Sequence, residues 1–526
     1  MPIKNDMTAG TYPDVRSGLQ KLLKDGLLLF NYTGHGGTTA LSDEKVLTQT
    51  DINQFTYTHL PVWVTATCDF TRFDDLNTSA GEDVFLNKSS GGIALFTTVR
   101  VAYSRPNFPI NDNVIRNLFE RNNGRRRTLG EVMQATKNTL SSVYKLGFCL
   151  IGDPAVKMAY PEFGMKVTTV NGQSVDGNSI SFKALEKITV EGEVLDASGQ
   201  LVTDFTGIVN PTVKDSKVTV TCLKNSNKDD SPAFTFTDYP NTIFIGNDSV
   251  RNGKFSFTFT VPKDISYSNL QGKMNLYAVD TENGHEAQGN FDNFIVGGTS
   301  DTAETDTIGP EIRALYLNDT TFVDGGQVNT TPYFVAELWD KSGVNITGSS
   351  VGHDMMLVID ESTVLSYNLN SYYELLLGED GTGIVKFPIP ALEPGKHTAE
   401  FWVWDILNNS TVRTFTFEVV EGLKPFLFDV IATPGIAREQ VTFHLMHNRP
   451  ESRMRVGIMV YDLAGRQLWK HEESGTSGLF ENYTVSWDLT SGGARMRPGV
   501  YIYRAAISTD NSKDATKARK FIILGE

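Results

Sequence analysis

His35 and Cys68 are the side chains of this sequence best suited to nucleophilic chemistry. His35 stands in Gly34-His35-Gly36-Gly37 and Cys68 in Ala66-Thr67-Cys68-Asp69. A free thiol is mostly protonated near neutral pH, and an adjacent imidazole can take the proton or stabilise the thiolate. The glycines after His35 let backbone approach a substrate closely, and the N–H groups near Gly36 and Cys68 are candidates to stabilise an oxyanion. Each residue alone has a plainer reading, a buried cysteine at a strand end and a loop histidine. The spacing by itself leaves both readings open.

Two apolar runs must position this pair. LLLFNYTGHGG carries the histidine and LPVWVTATCDF carries the cysteine, each run ending in a turn of small residues. Short runs rich in β-branched and aromatic residues predict buried strands, with helix as the standing ambiguity. Residues 43–55 have the length of a crossover, which makes a βαβ unit with parallel strands. His35 and Cys68 then lie side by side at the carboxyl edge, where open α/β sheets place their ligands.

Around this unit the sequence predicts a helix over 12–24, opening at Pro13-Asp14 and stopping at Asp25-Gly26. Residues 71–83 form a polar loop with Arg72, Asp74, Asp75, Glu82 and Asp83, which suits a cleft lining and a solvated loop equally well. A short helix over 82–88 and a buried strand over 92–98 follow. Residues 100–109 are expected as a loop with Tyr103, Ser104 and Arg105 near the active edge. Helical spacing marks 112–121 and 129–145. Between them Arg125-Arg126-Arg127 is expected as a solvated face, with an anionic lipid head group or polysaccharide as the alternative partner.

The chain has 526 residues, 40% hydrophobic and 21% charged, a length for about three to five domains. A net charge of −15 argues against non-specific nucleic-acid binding, which needs a basic footprint. Three cysteines cannot make a disulfide framework. Cys149 and Cys222 fall in strand-like runs and are expected as packing residues, leaving Cys68 as the reactive thiol. No run is apolar enough to span a bilayer, and no secretory signal is expected at Met1.

From Pro161 onward helical periodicity gives way to alternation. Residues 187–194, 217–223, 254–261 and 273–279 predict strands, with turns at Asp196-Ala197-Ser198-Gly199 and Asn252-Gly253. This predicts a β-sandwich over 161–300, with 297–306 as a linker. A second sandwich over 301–422 has strands at 334–340, 398–405 and 414–420. The surplus of turn aspartates there suits a Ca²⁺ site or simply turns; EF-hand spacing is absent and no specific metal site is expected. Residues 423–526 make a third sandwich, with strands at 425–430, 441–446, 456–462, 484–487 and 499–504. His444 and His447 are expected there as structural or solvated residues.

YTGHGG followed by VTATCDF at this separation resembles the gingipain family of cysteine peptidases, whose fold is caspase-like α/β. The resemblance covers residues 10–160 roughly and includes Phe148-Cys149-Leu150-Ile151-Gly152-Asp153-Pro154 as the closing strand and turn. It implies His35 as general acid/base, Cys68 as nucleophile, and the N–H groups of Gly36 and Cys68 as the oxyanion hole. It also implies that 1–160 is the carboxyl-terminal part of a peptidase domain, with further strands and the acid that orients the histidine lying upstream.

Tyr461-Asp462-Leu463-Ala464-Gly465-Arg466, Trp487-Asp488 and Pro498-Gly499-Val500-Tyr501-Ile502-Tyr503 resemble the carboxyl-terminal sorting domain of type IX secretion cargo. The whole order, with the stretch from Asp340-Lys341-Ser342-Gly343-Val344-Asn345 to Gly352-His353-Asp354, resembles the cell-surface sortases of that system. That resemblance implies an enzyme at the outer-membrane surface that removes the sorting domains of secreted cargo. It can join the new carboxyl terminus to an amine on anionic lipopolysaccharide, and it keeps its own sorting domain as a dock on an outer-membrane β-barrel partner. No cofactor, metal or nucleic acid is implied. Two other readings remain: an ordinary secreted gingipain-like endopeptidase, and a β-rich surface module whose peptidase part is inactive without its upstream half.

Overall fold

The computed structural model describes residues 12–526 except 56, 58, 89, 123, 224–231, 302–305, 349–351, 377–381, 480, 510 and 526. The expectations for residues 1–10, for 302–305 of the linker, and for the side chains of Pro13, Asp14, Asp25, Ser104 and Arg105 lie outside the described residues.

The first region is built on four strands, β1 (Leu29–Thr33), β2 (Val62–Ala66), β3 (Ala94–Thr98) and β4 (Phe148–Ile151), in that spatial order. β1, β2 and β3 are parallel and β4 closes the edge antiparallel. Every residue of β2 and β3 is buried, because helices cover both faces. Trp63 stacks on Phe30 at 4.0 Å between ring centroids on one face. Val62 and Val64 pack with Ile110, Val114 and Leu118 on the other.

The helices are α1 (Pro13–Asp25), α2 (Gln49–Gln54), α3 (Ala80–Leu86), α4 (Ser104–Phe119) and α5 (Leu129–Thr139). α2 lies in the crossover and starts with a capping box, in which Thr48 and Asp51 exchange side-chain and backbone hydrogen bonds. Arg16 from α1 ion-pairs with the same Asp51. α4 corrects the sequence reading, since residues 104–109 are helix and not loop. Pro106 falls in the first turn, where a missing N–H costs nothing, and Pro109 removes a single bond from a helix already packed on β1 and β2. The helical reading of 129–145 is also shortened, with a 3₁₀ turn at Val143–Gly147.

The arginine run is engaged, not a free solvated face. Arg125 pairs with Glu131, Arg126 donates to the carbonyls of Met158 and Tyr160, and Arg127 reaches Asn117 and Glu120.

Beyond residue 161 the strands alternate buried and exposed, as in Lys254–Thr260. Between Phe163 and Thr299 one sheet curls until Phe163–Val170 pairs with both Lys187–Leu195 and Glu286–Phe291, so its phenylalanine-rich core lies inside the ring. The strand Phe294–Thr299 takes in the start of the expected linker. Cys222 is exposed, a correction to the packing expectation. It follows Val218–Thr221, one strand of a two-stranded ribbon whose residues are half-buried or exposed. Residues 311–419 stack a four-stranded on a five-stranded sheet, and 427–523 a three-stranded on a five-stranded one, each around its own core.

Candidate active site

The parallel register of β1 and β2 pairs Thr33 with Ala66. Two residues beyond each lie His35 and Cys68, at matching positions past the carboxyl edge. His35 is exposed and Cys68 half-buried.

The turn after β1 is fixed by its own carbonyl. His35 O accepts from Ser42 N at 2.8 Å and from the Tyr32 hydroxyl at 2.6 Å. Burial, then the Glu44 and Asp43 carboxylates, push the Tyr32 phenol up, which keeps it a proton donor in this bond. Gly36 lies hard against β2, where a Cβ would come 2.4 Å from Thr67 Oγ1. Only glycine permits that approach.

The turn after β2 is tied to β3. Thr98 Oγ1 donates to Thr67 O at 2.6 Å, and the hydroxyls of Thr65, Thr97 and Thr71 form a buried relay at 2.7 and 2.8 Å. Asp69 takes φ 49°, a left-handed conformation costing about 1 kcal/mol for a non-glycine residue. Its N–H donates to Arg100 O at 3.3 Å. The Arg100 guanidinium bridges to Asp74 and holds that carboxyl below the usual carboxylate range. In the polar loop 71–83, therefore, Asp74 braces the nucleophile turn and Asp83 accepts from Gln49 and Asn53.

Cys68 Sγ does not bond to His35. Its thiol donates to Ala102 O at 3.1 Å, and Ala102 N–H approaches the sulfur at 3.4 Å. The backbone N–H groups of Gly36 and Cys68 make no hydrogen bond among the described residues. The two turns that carry the pair thus each hold an N–H without a hydrogen-bond partner among the described residues. Tyr103, exposed, meets Tyr144 edge-on at 5.4 Å beside Ala102, and Val101 and Phe108 are exposed on the same segment. Chemically this is a thiol, an imidazole, two unbound amides and an apolar wall.

Thr67, Ala102 and Asn111, whose side chain donates to Thr33 Oγ1, have no signal in the sequence beyond their neighbourhood to the pair. His447, in the last unit, is structural. It accepts from Arg449 N and bonds Ser477 Oγ, and burial pushes it down to about 4. Among the described residues one group of three carboxylates lies close enough to share a cation. Asp306, Asp340 and Asp405 bring oxygens within 4.8 Å of one another. The sequence expects no metal there, and each carboxylate accepts hydrogen bonds within its own turns.

Residues 2–159 match the model of peptidase family C25. Among solved structures the chain is similar to PorU from Porphyromonas gingivalis, described as dimeric and latent. The two are 34% identical, over 99% of this chain and 48% of that one, with a TM-score of 0.35. This chain thus spans about half the length of the PorU it matches. The Arg-specific cysteine proteinase gingipain R (RgpB) is 19% identical over 53% of this chain and 56% of its own, with a TM-score of 0.26. No curated protein matches. No helix among the described residues is long and apolar enough to cross a membrane.

Proposed function

We propose that the chain carries the Cys68–His35 dyad of a caspase-like, cell-surface cysteine endopeptidase that removes the carboxyl-terminal sorting domain of type IX secreted cargo. The observation that carries this reading is the register of β1 on β2, which ends both strands at one edge two residues before His35 and Cys68, on turns that hold two unbound N–H groups. The Cys68 thiolate attacks the scissile carbonyl of the cargo peptide. The oxyanion that forms accepts from Gly36 N–H and Cys68 N–H. His35, having taken the thiol proton, returns it to the leaving amine. Water, or an amine of anionic lipopolysaccharide, then displaces the thioester and restores the thiol. The bond from Cys68 to Ala102 O must break before attack, because a thiolate cannot donate.

The last unit, 423–526, has the pattern of a sorting domain, and we assign it a docking role on an outer-membrane β-barrel partner. Incubating the chain with a cargo fragment that bears its sorting domain tests the reading. Cleavage that disappears in Cys68→Ala is the expected result. Equal cleavage by the variant, or none by either, moves the reading to a surface module.

A further inference from the structure

We propose that the cleft between the curled sheet and the unit of residues 311–419 binds an α-amino acid with an apolar side chain, its ammonium held by Asp340 and Tyr373. A cavity of about 410 Å³ opens there, a size that suits a small molecule. Phe244 and Phe259 of the curled sheet and Ile406 of the next unit give it apolar walls. Lys187 and Lys341, both exposed, also line it. Neither lysine makes an ion pair among the described residues.

Two buried residues of the lining hold an oxygen that has no donor. Asp340 is 8% exposed; its Oδ1 accepts from Ser342 N at 2.8 Å and Gly343 N at 2.9 Å, and its Oδ2 has no partner among the described residues. Tyr373 is 7% exposed, and its hydroxyl makes no hydrogen bond among the described residues. The phenol lies over Gly383, where a Cβ would come 2.2 Å from Tyr373 Oη, so only glycine admits it there. Beside Asp340, Asp306 and Asp405 bring carboxylate oxygens to within 4.8 Å. None of the three makes an ion pair among the described residues, and Lys341 acts on Asp306 only at longer range.

Buried carboxylates are normally paired, so this corner of the cavity is short of a cation. An ammonium supplies the charge together with three N–H donors, enough for Asp340 Oδ2 and Tyr373 Oη at once. The two lysines repel a simple amine but match the carboxylate of a zwitterion. The aromatic and aliphatic walls match an apolar side chain. A bare metal ion would use the carboxylates and leave the walls and the lysines without a role.

The test is titration calorimetry of the full chain with L-phenylalanine and with hydrocinnamate, which lacks the ammonium, on wild type, Asp340→Asn and Tyr373→Phe. Wild type is expected to bind phenylalanine and not hydrocinnamate. Asp340→Asn should weaken that binding about tenfold or more, because a charged hydrogen bond is lost, and Tyr373→Phe about threefold. No heat with phenylalanine, equal binding of the two probes, or an unchanged affinity in Asp340→Asn overturns the assignment. Calcium chloride that binds wild type and not Asp340→Asn, where phenylalanine binds neither, gives the carboxylates to a metal and overturns it too. Should Asp340→Asn fail to fold, Tyr373→Phe, which keeps the ring, decides with the two probes: undiminished affinity for phenylalanine then rejects the site.

Discussion

An alanine at position 36 would press its Cβ to 2.4 Å from Thr67 Oγ1, so the two turns would have to part. The candidate oxyanion amides sit on those turns. Gly36→Ala is expected to lower kcat/KM about 10²-fold with KM little changed, the cost of misplacing one donor. Adding Thr67→Ala removes the clash and should recover part of the loss. Steady-state kinetics on a cargo peptide checks both, and no recovery in the double variant would place the damage elsewhere. His35→Ala should lower the rate by about 10²–10⁴. His35 and Cys68 stand out in the sequence because reactive side chains at small-residue turns are few. Ala102 does not, since its part is played by backbone atoms that any residue would supply.

β2 was visible as an apolar run because helices bury it from both sides, whereas in β1 only Phe30 is buried and Asn31 is exposed. α4 was hidden by Pro106 and Pro109, which read as loop although the first turn of a helix tolerates proline. The arginine run read as solvated because charge runs usually are, whereas its partners, the Met158 and Tyr160 carbonyls, are distant in sequence. The crossover is braced at Asp51. Burial alone would raise this carboxyl, but bonds from Arg16 and Thr48 outweigh it and hold it below the usual range. Its contribution is therefore full above the unfolded value near 4 and fades as pH falls through the lower folded one. Asp51→Asn should destabilise the first region by about 1–2 kcal/mol at neutral pH. Denaturant melts should show the gap closing toward acid pH, and a constant gap would point to the cap alone.

Across the molecule the four regions touch. Lys21 of α1 lies over the Tyr372 ring, 3.8 Å from its centroid, and Lys24 meets Glu451. Asp264, in the loop after Lys254–Thr260 of the curled sheet, accepts from Asn408 and bonds His353 at 2.6 Å. This junction gives the stretch 340–354, singled out in the sequence, a structural use. Next to it burial, reinforced by Asp405 and Asp306, pushes Asp340 up to about 6. A raised carboxyl stabilises the fold below the unfolded value near 4, and that stabilisation is lost as pH rises through about 6. Asp340→Asn should accordingly gain about 1–2 kcal/mol over wild type at neutral pH. The gain should vanish near pH 4 in thermal melts followed across that range, and one that persists at acid pH would reject the buried-carboxyl account. Alternation and turns made these β regions visible in the sequence. The convergence of three aspartates from separate turns has no local signature.

Rates of alkylation of Cys68, Cys149 and Cys222 near neutral pH, in wild type and His35→Ala, test the central claim most directly. Exposure alone ranks Cys222 first, since it is exposed and the other two are half-buried. The dyad predicts Cys68 as the fastest thiol in wild type, losing that lead in His35→Ala. Cys222 first in both proteins, with Cys68 unmoved by the histidine, would contradict it.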